Sequence, residues 1–228
     1  EYLLETVGLG FDHLIVFLDI SDIEDEVRRY KMEDGRVVGL MSQTSKVKDF
    51  IYEYTGLMKN ILTLGRNIQK MMGPTHDDLR SEEERRYGTN QEKSLWTIDE
   101  KAFDEYGRDG LEKAQQHMDL LYQLLQRHKK EMTIAVYPWP DQIAHKDLNS
   151  RQVTFWQDWA NKHSVAFFNF FPIFISPDAD PQEVLSQNFI EGDVHWNEKG
   201  HEMIAQELLK KMRVTFPSIL NEEVRSSK

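Results

Sequence analysis

The stretch Leu14–Leu18 reads LIVFL, an apolar run without a polar interruption. Such a run is typical of a parallel strand that is buried on both faces, because a half-exposed strand would alternate apolar and polar residues. A polar cluster that contains Asp19, Ser21 and Asp22 follows it. The carboxyl ends of parallel strands form the ligand crevice of an open α/β sheet, so we expect these side chains to border a functional site. The alternative is a solvated acidic loop that caps the next helix.

Two further apolar runs predict two more strands. Thr133–Tyr137 reads TIAVY, and Val165–Phe171 reads VAFFNFF. Helical patterns lie between these strands and after the last of them. They cover residues 44–73, the stretch from residue 99 or 107 to residue 130, the stretch that begins at Asn149 or Ser150, and the stretch that begins at Asn197. This alternation predicts an α/β domain of three layers, α/β/α, with a parallel sheet and right-handed crossovers. Because a doubly wound sheet usually has about five strands, we expect that the sheet is incomplete in this chain.

Two segments interrupt the alternation of strands and helices. Lys31–Gly39 contains Asp34-Gly35, a dipeptide that favours a tight turn, and is predicted to form a short hairpin. Residues 74–95 are polar and carry a run of charges, which indicates a mobile insertion or lid; a solvated surface loop is the alternative. No internal repeat and no linker composition divides the chain, so residues 1–228 are interpreted as a single domain.

Composition excludes several classes of partner and chemistry. The chain has 228 residues, of which 39% are hydrophobic, and its formal net charge of -11 argues against nucleic acid as a partner. The absence of cysteine excludes disulfides and thiolate nucleophiles. No apolar run approaches transmembrane length and no signal peptide is visible. The first residue is Glu1 rather than Met, which indicates that the chain begins within a longer protein.

The stretch Gly192–His201 reads GDVHWNEKGH and carries the strongest chemical signal. Asp193 and His195 lie just before Asn197, a candidate N-cap of the last helix. A histidine and a carboxylate held at the base of a buried helix suit a general base and the group that orients it. The alternative is a surface turn in which the two side chains only cap the helix.

A second signal follows the predicted strand Thr133–Tyr137. Pro138 and Pro140 flank Trp139, and two prolines around an aromatic residue make a stiff turn that cannot continue a sheet. In a parallel sheet this turn would lie on the same rim as Asp22, where Trp139 would form the wall of a sugar or acyl pocket. The alternative is a tryptophan that packs over the edge of the core.

Gly192–His201, together with the turn Tyr137–Pro140, resembles the SGNH (GDSL-like) hydrolase superfamily, and more closely its Asp-x-His branch in bacterial polysaccharide and alginate O-acetylation proteins. The resemblance implies a flavodoxin-like sheet and a Ser-His-Asp triad in which His195 is the general base and Asp193 its orienting carboxylate. It implies a serine esterase or O-acyltransferase that acts on acyl (acetyl) esters of a carbohydrate, without a cofactor. It also implies an extracytoplasmic location, periplasmic or membrane-anchored, with any anchor preceding Glu1.

The chain departs from this family at the nucleophile. No Gly-Asp-Ser occurs, and the family's Gly-x-Asn-Asp block reads Asp19-Ile20-Ser21-Asp22, so Ser21 stands where the family has its oxyanion-binding Asn. We therefore expect that this chain lacks the first strands and the nucleophilic serine, which would lie upstream. Two other hypotheses stay open. One is a non-catalytic carbohydrate-binding relative that uses Trp139, and the other is a metal-dependent hydrolase with Asp193, His195 and His201 as ligands.

Overall fold

The computed structural model describes residues 2–33, 36–39 and 91–217. The predicted helix over residues 44–73 and residues 74–90 of the predicted insertion lie outside the described residues, as does the chain beyond residue 217.

The strands are β1 (His13–Leu18), β2 (Tyr30–Glu33), β3 (Arg36–Gly39), β4 (Glu131–Val136) and β5 (Ala166–Asn169). As predicted, the three apolar runs pair in parallel, in the order β1-β4-β5. Strands β2 and β3 form a separate antiparallel pair, which confirms the predicted hairpin. Within the described residues, the structure is thus a mixed α/β fold around a three-stranded parallel sheet, and the carboxyl ends of the three strands share one rim.

Most of the other described residues are helical. The α-helices are α1 (Asp22–Arg28), α2 (Gln91–Ser94), α3 (Glu100–Ala102), α4 (Arg108–Arg127), α5 (Pro140–Ala144), α6 (Arg151–His163), α7 (Phe171–Phe174), α8 (Pro181–Asn188) and α9 (Glu198–Thr215). π-Helical turns span Tyr2–Thr6 and Phe103–Gly107, and the latter joins α3 to α4. A 3-10 turn, Leu95–Thr97, follows α2.

Helices cover both faces of the sheet. Leu18 shares a cavity wall with residues of α4 and with Trp156 of α6, so one face of β1 packs against these two helices. Side chains alternate between the faces of a strand, and His13 therefore points to the opposite face. There its ring lies 4.6 Å from the ring of Phe216, which directly follows α9. Strand β4 lies between β1 and β5, and five of its six residues are buried accordingly.

The structure differs from the local structure expected from the sequence in three places. The third strand ends at Asn169 rather than at residue 171, because the Asn169 side chain accepts a hydrogen bond of 2.9 Å from the Phe171 backbone and the chain turns into α7. Residues 176–190, where the sequence analysis predicts no helix, contain α8, which the Asp180 side chain caps by accepting from the Gln182 backbone at 3.1 Å. The alternative of an acidic loop after β1 is wrong for residues 22–28, which are helical as α1.

The segment from α2 to Thr97 is anchored in the core. Trp96 is fully buried, and its indole N–H donates to the Ile20 carbonyl at 3.0 Å. Ser94 is also buried and donates to Asp141 at the start of α5. Residues 91–95, the end of the predicted insertion, are thus helical and attached beside the carboxyl end of β1. Within the described parts of the chain, no helix is both long and apolar enough to cross a membrane.

Candidate active site

Asp193 and His195 form a direct pair in the loop between α8 and α9. Asp193 Oδ1 lies 2.5 Å from His195 Nδ1, and the same oxygen accepts from the His195 backbone N–H at 3.2 Å. The hydrogen bond from His195 holds the pKa of Asp193 below its ordinary value. The His195 side chain is 75% exposed. The carboxylate therefore fixes one imidazole nitrogen and leaves the opposite edge of the ring accessible to a reactant.

Backbone hydrogen bonds hold this loop in one conformation. Ile190 N–H donates to the His195 carbonyl, and Asp193 N–H donates to the Ile190 carbonyl, each at 3.0 Å. An isolated antiparallel bridge joins Phe189 to Trp196. His195 is thus carried by a small hydrogen-bonded loop rather than by a free surface turn.

Asn197 joins the loop to the helix that follows, as the sequence predicted. Its side-chain oxygen accepts from the Gly200 backbone at 3.0 Å and caps α9. Its amide nitrogen donates to the carbonyls of Gln187 and Phe189 at the end of α8. One side chain therefore fixes both flanking helices relative to the Asp193–His195 pair.

A second cluster surrounds Asp19 at the carboxyl end of β1. Asp19 Oδ1 accepts from the Ser21 backbone at 2.8 Å and from the Ser21 hydroxyl at 2.6 Å. Asp19 Oδ2 accepts from the Tyr137 hydroxyl and from the Trp139 indole, the latter at 3.0 Å. Asp19 is therefore a fixed carboxylate that connects the ends of β1 and β4.

The two clusters meet through a pair of aromatic rings. The Tyr137 ring lies 4.7 Å from the Trp196 ring, between centroids, and Trp196 directly follows His195. The carboxyl ends of β1 and β4 and the His195 loop therefore share one rim of the sheet, which is the rim where the sequence placed Asp22 and Trp139.

Three further side chains that the sequence suggested for the site, Ser21, Trp139 and Asp22, lie at this rim and differ in burial and hydrogen bonding. The backbone N–H and the hydroxyl of Ser21 both donate to Asp19. Trp139 is only 6% exposed and its indole N–H is bound to Asp19, so its ring packs in the core instead of forming an open pocket wall. Asp22 accepts from the Asp19 backbone at 3.1 Å. Partial burial, and then repulsion from Asp19, raises the pKa of Asp22 to about 6, although the residue keeps an exposed surface.

The structure does not assemble the metal site considered from the sequence. His201 lies on α9 with its ring edge-on to Trp196, at a centroid distance of 5.4 Å. In the residues that the structure describes, no group of three or more His, Asp or Glu side chains converges to hold a metal ion. Asp193 and His195 instead bind each other.

The sequence did not indicate a role for two residues of the rim. Tyr137 and Trp196 are the side chains through which the two clusters touch. Both carry a weak signal, since Tyr137 ends the apolar run of β4 and Trp196 lies inside the Asp-x-His block.

Comparisons with protein-family models, with curated proteins and with solved structures find no match to this chain.

Proposed function

We propose that the protein is an SGNH-type serine esterase or O-acyltransferase that acts on acyl esters, acetyl esters in particular, of a carbohydrate or polysaccharide. The observation that supports this most directly is the 2.5 Å contact between Asp193 Oδ1 and His195 Nδ1, on an imidazole that is largely exposed at the rim of a parallel sheet. In such a pair the carboxylate fixes the tautomer of the histidine and stabilises the imidazolium that forms when a hydroxyl is deprotonated.

The order of the strands supports a flavodoxin-like SGNH sandwich as the complete fold. In the flavodoxin-like order 2-1-3-4-5, the last three strands are adjacent and follow each other in sequence. Strands β1, β4 and β5 have this relationship, with β4 in the centre. On this proposal the outer edge of β1 pairs with a further strand from a segment that precedes Glu1, and that segment supplies the nucleophile.

Hydrogen bonding of the described serines supports a nucleophile from outside the described residues. Ser21 donates to Asp19, and Ser94 is buried and donates to Asp141. Across residues 2–33, 36–39 and 91–217, no serine hydroxyl is hydrogen-bonded to His195. A serine hydroxyl is a poor nucleophile until a base accepts its proton. The nucleophile proposed here is therefore a serine that comes from outside these ranges.

The residues present define the acid–base part of the reaction. His195 accepts the proton of the attacking serine hydroxyl through its second nitrogen, while Asp193 holds the first. The protonated imidazole then donates to the leaving sugar oxygen, and the acyl group stays on the serine. In the second half-reaction His195 deprotonates the acceptor, which is water for an esterase and a sugar hydroxyl for an O-acyltransferase.

Two alternatives have less support. A carbohydrate-binding relative without catalysis would use an exposed aromatic face, whereas Trp139 is buried and hydrogen-bonded to Asp19. A metal-dependent hydrolase would need converging ligands, and Asp193 pairs with His195 instead. An extracytoplasmic location, periplasmic or membrane-anchored, is part of the proposal through the family resemblance.

The experiment uses the protein extended by its upstream coding segment and a fluorophosphonate probe that labels activated serines. Mass spectrometry of the labelled peptides should place the probe on a serine of a Gly-Asp-Ser motif. The labelling should be lost in His195→Ala and retained in His128→Ala, a histidine paired with Glu5. Labelling that is independent of His195, or no labelling of the intact protein, would refute the proposal.

A further inference from the structure

Tyr137 takes no part in the proton transfers described above, yet it contacts both clusters of the rim. Its hydroxyl donates to Asp19 Oδ2, and its ring packs against Trp196 at 4.7 Å. We infer that Tyr137 is a positioning residue, which ties the loop that carries His195 to the carboxyl end of β1. The inference rests on the proposed function, because it concerns the placement of the proposed general base.

The Asp19 end of this link is rigid. Besides Tyr137, the Asp19 carboxylate accepts from the Trp139 indole at 3.0 Å and from the Ser21 backbone and hydroxyl at 2.8 and 2.6 Å. It cannot move without breaking several charge-assisted hydrogen bonds. Burial, and then the negative charge of Asp19, raises the pKa of Tyr137 far above its ordinary value. The phenol therefore keeps its proton and remains a donor to Asp19 across the neutral pH range.

The Trp196 end of the link belongs to the loop that carries His195. The Trp196 ring stacks on Phe174 at 6.4 Å, with an interplanar angle of 13°, and the Trp196 backbone bridges to Phe189. The His195 carbonyl accepts from Ile190 N–H at 3.0 Å, so His195 and Trp196 lie on one hydrogen-bonded segment of backbone. A shift of the Trp196 ring would therefore displace the imidazole relative to the strand ends. A displacement of about 1 Å in a catalytic group can cost about a hundredfold in rate.

The matched pair of variants is Tyr137→Phe and Tyr122→Phe. Each removes one hydroxyl and keeps the ring, but Tyr122 donates to the His163 carbonyl at 3.2 Å and contacts Trp159. Hydrogen exchange of the 228-residue chain should show the peptide over residues 189–197 opening about fivefold faster in Tyr137→Phe and unchanged in Tyr122→Phe. With 5-fluorotryptophan labelling, the Trp196 fluorine resonance should shift in Tyr137→Phe, and the Trp159 resonance in Tyr122→Phe.

Kinetic measurements distinguish a positioning role of Tyr137 from a role in the stability of the whole fold. In the protein extended by its upstream segment, Tyr137→Phe should lower kcat about tenfold and leave KM within about twofold, because the substrate still binds while the base is misplaced. If Tyr137→Phe does not fold, Asp19→Asn takes its place as the test variant. It removes the charged acceptor of the same link and should show the same faster exchange over residues 189–197.

Unchanged exchange over residues 189–197 in Tyr137→Phe, or an equal increase in Tyr122→Phe, would overturn the inference. Absence of turnover in the unsubstituted protein would count against the proposed function alone, since hydrogen exchange and the fluorine resonances would still decide whether Tyr137 holds the His195 loop.

Discussion

The hydroxyl of Ser21 donates to the carboxylate of Asp19 across 2.6 Å, and the backbone N–H of the same serine reaches the same oxygen at 2.8 Å. Both donors of Ser21 are thus directed at one fixed carboxylate. A triad serine would instead donate to the imidazole of the general base. We therefore infer that Ser21 stabilises the end of β1 and does not attack substrate.

The 228-residue chain should therefore not hydrolyse a short-chain nitrophenyl ester faster than its His195→Ala variant does. If the nucleophile lies outside this chain, as proposed, the covalent route is missing and only weak residual catalysis from the remaining site is left. Ser21→Ala should have the same background rate as the unsubstituted chain. Turnover that is robust and disappears in both variants would show that Ser21 is a nucleophile after all.

The pKa of Asp193 should depend on His195. The hydrogen bond from the imidazole is the largest cause that lowers the pKa of Asp193 below 3.8, so His195→Ala should return it toward that value. Carbon-13 NMR of labelled aspartate side chains can follow this titration. The stabilisation from the pair should be complete above the ordinary pKa and should be lost as the pH falls through the lowered pKa.

His201→Ala is the control for this titration, because His201 lies in the same block but contacts Trp196 rather than Asp193. If the Asp193 titration is the same with and without the His195 ring, the pairing does not persist in solution.

The parallel sheet and the Asp193–His195 pair could be predicted from the sequence because both depend on local patterns. The strands are dense apolar runs. Strand β4 is buried on both faces as such a run predicts, whereas in β1, for which the same burial was expected, only Leu18 is buried. Asp193 and His195 are near neighbours in the chain, so a closed loop brings their side chains together.

The remaining features depend on contacts between distant segments. The apolar pattern of β5 continues through Phe170 and Phe171, and only the turn made by the Asn169 side chain ends the strand. Helix α8 has a weak apolar pattern, although Asp180 followed by Pro181 is a helix-start signal that could have revealed it. The contact of Tyr137 with Trp196 has no local signature, because the sheet and α9 bring those rings together.

Asp22→Asn should stabilise the protein at neutral pH. Because the folded state raises the pKa of Asp22 from 3.8 to about 6, it binds the proton more tightly than the unfolded state does. Stability from this group is therefore fully present below pH 3.8 and is lost as the pH rises through about 6. Since the residue keeps an exposed surface, solvent screening should reduce the gain of the variant at pH 7 to about 1 kcal/mol.

Urea unfolding at pH 4 and pH 7 measures this effect. Asp25→Asn is the matched control on the same helix, because Asp25 pairs with Lys93 at 2.9 Å and with Arg29 at 3.1 Å. Neutralising Asp25 should destabilise the protein at pH 7, opposite in sign to Asp22→Asn. A loss of stability in Asp22→Asn at pH 7 would show that its carboxylate is stabilised in the folded protein.

Gly200→Ala should damage the site through the backbone. A Cβ atom at Gly200 would overlap the Asn188 carbonyl oxygen and would lie 2.9 Å from the Cβ of Trp196. The same Asn188 carbonyl accepts from the Asn197 backbone at 3.0 Å, so relief of the clash must separate α9 from the end of α8. Overpacking against backbone atoms typically costs about 1–3 kcal/mol, and the displacement would extend to Trp196 and His195.

Gly10→Ala is the control, because a Cβ there meets nothing within 4 Å. Urea unfolding should show the loss in Gly200→Ala only, and hydrogen exchange over residues 189–197 should rise in the same variant. Equal stability of the two variants would mean that α8 and α9 do not approach as closely in solution as they do here.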